Sequence, residues 1–175
     1  MEVNQGIPHS PYFIFINGLS DKSDVEVLSL LELHTAEKVE HNESLMDKEC
    51  IYISRDANWV HIMDNWFYSH WHSKELRQKI DELGKKQEIF TCSIGDCDLS
   101  FDFKYFAEGR KLREYIVQSP NFNNQIIMTD SGVPLPAENI GVKKKDPLDK
   151  VMYIARSLGI VLPGRKQEIS CYRLL

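Results

Sequence analysis

From Leu99 to Tyr105 the chain alternates strictly, with Leu99, Phe101, Phe103 and Tyr105 on one side and Ser100, Asp102 and Lys104 on the other. A helix would scatter these aromatics around its circumference, so the stretch is a β-strand whose aromatic face belongs to a core. Glu108-Gly109 then supplies a two-residue turn, and Leu112 to Val117 reads as the returning strand. Glu88 to Ile94 reads as the strand before, so a meander of three antiparallel strands anchors the fold. Ser119-Pro120-Asn121 ends it, and Gln125 to Met128 adds a brief further strand.

The rest of the chain arranges itself around that meander. Tyr12 to Asn17 is a short β-rich apolar run ending in Gly18, and a helix follows over about Lys22 to Leu33, capped by Ser20 or Asp21. Ala36 to Lys48 is polar and aperiodic, which predicts a surface connection. Glu49 to Arg55 and Trp59 to Asp64 read as a hairpin around Asp56-Ala57-Asn58. Leu76, Ile80 and Leu83 recur at helical spacing from Ser73 onward, with Gly84 placed to end that helix at C′. Asp130 to Glu138 is a turn-rich loop, Asp146 or Asp149 opens a helix through about Leu158 that stops at Gly159, and Glu168 to Arg173 is a last strand. With no repeat and no linker, residues 1–175 form one α+β domain. The expected architecture is a mainly antiparallel sheet of about six to seven strands with three helices packed on one side.

Composition bounds what such a domain does. A chain of 175 residues with 42% hydrophobic and 27% charged residues is ordinary for a globular protein. It is long enough to bury about 70% of its unfolded surface without staples. The N-terminus lacks the basic and long apolar regions of a secretory signal, and no run approaches a membrane span, so the expected location is the cytoplasm. There Cys50, Cys92, Cys97 and Cys171 are expected to be free thiols. A net charge of −5 weighs against nucleic-acid binding and favours a basic protein partner. The single basic run, Lys143 to Lys145, reads as a solvated loop.

The candidate chemistry concentrates between Trp59 and His72, which hold all three tryptophans, three of the six histidines and Asp64. His61, Asp64, His70 and His72 carry donors suited to zinc or iron, although their separations match no established metal motif. Asp96, Asp98 and Asp102 surround a turn but lack the spacing of a calcium loop. No nucleophile elbow, phosphate-binding glycine loop or H-E-x-x-H is present. Trp59, Trp66, Phe67, Tyr68 and Trp71 exceed what one short element hides on one face, so at least one is expected to be partly exposed, with most in the core and the rest available to a partner or ligand.

The opening FIFINGLS, WVHIMDNWFYSHWH, CSIGDCDLSFDFKYFAEGRKLREYIV and the late GVPLPAEN together resemble small bacterial single-domain α+β proteins of the immunity-protein type. The SUKH superfamily is a poor match, because its proline-containing motif lies early whereas Val133-Pro134-Leu135-Pro136 lies late. The resemblance implies a toxin or effector domain as partner and transfers no catalytic residue. The leading expectation is therefore a non-enzymatic, cofactor-free protein-binding module that contacts its partner through Asp64, Trp66, Tyr68, Trp71 and Asp102. The rival is a small hydrolase in which His61, Asp64, His70 and His72 bind a metal or act as acid and base. A homodimer joined through the aromatic band is a third reading.

Overall fold

The computed structural model describes residues 9–40, 50–56, 58–64, 74–95, 98–121, 124–144, 146–161 and 168–174. In chain order these residues form β1 (His9–Asn17), α1 (Asp24–Leu30), β2 (Ala36–Val39), β3 (Cys50–Arg55), β4 (Trp59–Asp64), α2 (Lys74–Leu83), β5 (Ile89–Gly95), β6 (Phe101–Ala107), β7 (Arg110–Asn121), β8 (Asn124–Gly132), α3 (Glu138–Gly141), α4 (Pro147–Ser157) and β9 (Ser170–Leu174). The strands make one sheet in the order β2-β9-β3-β4-β1-β5-β6-β7-β8. Every pairing in it is antiparallel.

This corrects the expected six to seven strands and three helices to nine strands and four helices. β2 escaped the pattern because it does not alternate, being four residues of half-buried and exposed AEKV, and β8, exposed along nearly its whole length, runs well beyond the brief strand expected at Gln125 to Met128. The extra helix, α3, is a single turn after the proline loop.

The helices also lie on both faces of the sheet. Ile14, Ile16, Ile51, Ile53, Val60 and Ile62 pack with Val27 and Leu28 of α1 and with Leu76, Ile80 and Leu83 of α2. Phe15, Trp59, Phe90, Cys92, Phe101 and Phe103 point the other way and pack with Val151, Met152, Ile154 and Ala155 of α4. The continuous apolar run Phe13-Ile14-Phe15-Ile16 is the trace of this arrangement, since a strand covered on both faces has no polar side to show. Each face of the sheet buries its own apolar layer, and β1 lies near the middle of both.

Local signals explain most boundaries. Ser23, beyond the expected Ser20 or Asp21, caps α1 in a reciprocal box with Glu26. Asp146 caps α4 by accepting from Asp149 N at 3.1 Å, with Pro147 in the first turn. Glu108 and Gly109 both have positive φ, as a two-residue hairpin turn requires. Gly84 serves a different purpose from the C′ stop expected: a Cβ there would lie 2.5 Å from Phe106 Cδ1, so glycine permits close approach of α2's end to β6. Cys50, Cys92 and Cys171 are buried free thiols, and Cys97 lies outside the described residues.

Candidate functional site

The register places Asp64 opposite Tyr12, Tyr12 opposite Ser93 and Ser93 opposite Asp102, so four residues form one row across β4, β1, β5 and β6. Ser93 Oγ donates to Asp102 Oδ2 at 2.7 Å, giving this expected contact residue a structural bond. Burial first, then the nearby Asp102 charge, pushes the Tyr12 hydroxyl well above the ordinary tyrosine range. Asp102 therefore sits in a wall of the α2-side layer, half covered by its neighbours. Trp66, Tyr68 and Trp71 lie outside the described residues, and Asp64 is described through its backbone register alone.

His61 has a different role from the metal ligand considered above. Its ring packs edge-on against Phe15 at 5.1 Å, on the α4 side of the sheet, and its Nε2 lies 3.2 Å from Asp56 Oδ2. Asp56 also accepts from the backbone N–H groups of Asn58, Trp59 and Val161. This carboxylate thereby ties the β3–β4 turn to the segment that follows α4. Burial lowers the His61 pKa below its usual value even though the Asp56 charge pulls it upward, so the ring is neutral at pH 7. His70 and His72 lie outside the described residues. Among the described residues no group of three or more His, Cys, Asp or Glu side chains could hold a metal ion. Asp98 is likewise used locally, accepting from Ser100 N at 2.7 Å, while Asp96 lies outside the described residues.

A buried ion cluster is the feature that sequence reasoning missed. Arg113 on β7 donates from Nε to Glu138 Oε1 at 2.8 Å and from Nη2 to Oε2 at 2.7 Å. Its Nη1 reaches Asp130 Oδ1 at 2.6 Å and the Ser131 carbonyl at 2.9 Å. Glu138 Oε1 also accepts from Leu135 N at 2.6 Å. The late GVPLPAEN loop is thus clamped to β7, with Leu135 inserted into the α4-side layer. Its members are separated by 17 and 25 residues, so no short motif announces them.

That clamp sets β8 at the margin of the sheet, with no strand paired to its far edge among the described residues. Ile126, Ile127 and Met128 are 49%, 56% and 50% exposed, and the following Val133 is 80% exposed. Ile116 faces Thr129 while Val117 faces Ile127, which makes Met128 the inserted residue of a β-bulge. The opposite margin, β2, is four residues long and carries Glu37 and Lys38, the usual way a sheet discourages pairing. Only β8 offers a long, apolar, uncharged margin from Asn124 to Thr129 among the described strands. No helix among the described residues is long and apolar enough to cross a membrane. Comparison with known proteins finds no matching family model, no matching curated protein and no matching solved structure.

Proposed function

We propose that this chain is a non-enzymatic protein-binding module, and that its partner adds an extended segment to the free edge of β8. The carrying observation is the contrast between the two margins of the sheet: β2 is short and charged, whereas β8 presents Ile126, Ile127 and Met128 half-exposed on an edge that no strand among the described residues pairs. Pairing there supplies main-chain hydrogen bonds for affinity and apolar side chains for specificity. The bulge at Met128 limits the regular ladder on either side of it, which favours one docked segment over open-ended stacking. Neutralisation of a toxin or effector domain is the narrower form of this reading, supported by the −5 net charge, which steers a basic partner toward the chain.

The test is capture from a host lysate by tagged wild type and by an Ile127→Lys variant. A stoichiometric protein retained by the first and lost from the second is expected. Equal capture by both would move the contact to another surface, and an empty wild-type bait would count against the module itself.

A further inference from the structure

Beyond protein binding, we propose that a cleft beside the N-terminal end of α1 is a binding site for a compact dianion, with phosphate or dicarboxylate chemistry. The cleft has a volume of about 460 Å³ and is lined by Lys22, Arg55, Lys38, Ser23, Ser170 and Glu168 over a floor that includes Ile53 and Asp24. That volume falls within the range of small-molecule sites, roughly 300 to 1,000 Å³. Three cationic residues line it from three separate places in the chain: Lys22 precedes α1, Lys38 lies on β2 and Arg55 ends β3. Against the carboxylates of Asp24 and Glu168 in the same lining this leaves one net positive charge, on a chain whose total is −5.

The centre is also pre-organised. Arg55 pairs through Nη1 with Asp24 Oδ1 and donates from Nη2 to the Lys22 carbonyl at 2.8 Å, which fixes the guanidinium. Tyr172 Oη donates to Asp24 Oδ2 at 2.9 Å. Asp24 is thereby spent on Arg55 and Tyr172, leaving Glu168 as the other carboxylate in the lining. Lys22 is only loosely engaged, 3.6 Å from Glu26 Oε1, and Lys38 makes no ion pair among the described residues. The register places Lys38 opposite Tyr172 and Tyr172 opposite Ile51, so Lys38 shares the face of the sheet that carries α1. Two lysine ammonium groups beside a fixed guanidinium suit an anion with two charges and several acceptor oxygens, while the Ser23 hydroxyl is already committed to Glu26 and the Ser170 side chain to Asp24.

The experiment measures thermal shift and titration calorimetry of the full chain with inorganic phosphate, pyrophosphate and succinate, holding ionic strength constant with sodium chloride. Wild type should show a saturable rise in Tm, about 5 °C or more at hundredfold excess over Kd. A response to phosphate and pyrophosphate alone assigns phosphoryl chemistry, and a response to succinate alone assigns the dicarboxylate class. Lys38→Gln, on an exposed strand margin, should keep the ligand-free Tm and weaken binding about tenfold or more, and Lys22→Gln should do the same. Arg55 is left intact because its bonds to Asp24 and Lys22 support the fold. Absence of any saturable shift overturns the site, as does equal affinity in the wild type and both lysine variants. Neither result bears on the β8 margin, which the capture experiment tests separately.

Discussion

Individual residues carry much of the stability of this sheet, and their environments set how much each is worth. Arg113 is fully buried with Glu138 beside it, whereas the Asp130 carboxylate is half exposed. Glu138→Ala leaves a buried guanidinium without its main partner and should cost about 3 kcal/mol or more in urea unfolding, whereas Asp130→Asn should cost under about 1 kcal/mol. Equal losses would show that the cluster acts as one indivisible unit. His61 makes a second prediction. Its folded pKa lies below its unfolded value, so as pH falls through about 6.5 the unfolded chain takes up a proton that the folded chain refuses. Stability therefore declines with falling pH, by at most about 1.4 kcal/mol per unit for one proton, until the folded pKa is passed. Asp56 is held below its usual carboxylate value, because backbone bonds from Asn58, Trp59 and Val161 outweigh its burial, so its contribution is lost only in a lower, acidic window. Denaturant midpoints between pH 7 and 5 for wild type and His61→Gln should diverge, with the flatter profile in the variant; parallel profiles would remove His61 as the cause.

Among the elements, those with one clean periodicity were legible and those defined by their neighbours were not. The alternation in β6 fixed the aromatic layer correctly, and the Asp146 cap and apolar stripe of α4 located that helix to within a residue or two. Trp59 is a core residue, buried against the α4 side, which resolves one member of the aromatic cluster. β2 carries no internal signature and β8 only the short Gln125 to Met128 run, since an edge strand takes its place from backbone pairing and not from a buried stripe. The layering was misjudged for a related reason: Phe13 to Ile16 already lacks a polar side, yet a short apolar run does not say how many helices cover it. The chain's turns show the same dependence on context. Gly132 has φ +87°, and a Cβ there would overlap the Leu112 carbonyl, whereas Gly159 at φ +83° has open space around it. Gly159→Ala should therefore cost about 1 kcal/mol through backbone strain alone, and Gly132→Ala considerably more by displacing the end of β8 from β7. Chemical denaturation of the two variants measures the difference, and indistinguishable midpoints would mean that the close approach at Gly132 relaxes freely.

At the scale of the whole molecule, two faces of one sheet are sealed by helices while the margins are treated unequally, and that inequality is where the binding proposal rests. The candidate contact residues on β4 and β6 share a row of the sheet, but the His61 and Asp64 pair is split by strand alternation, a separation already implicit in a spacing of three. The Arg113 cluster was illegible because its partners meet only after β7, β8 and the proline loop have folded back on one another. The place of β9 has a further consequence for how the chain is made. It lies between β2 and β3 and is their shared neighbour, although it follows both by more than a hundred residues. During vectorial synthesis β2 therefore emerges with no strand to join and β3 waits with one side open, so that third of the sheet is assembled last, by a single long-range closure.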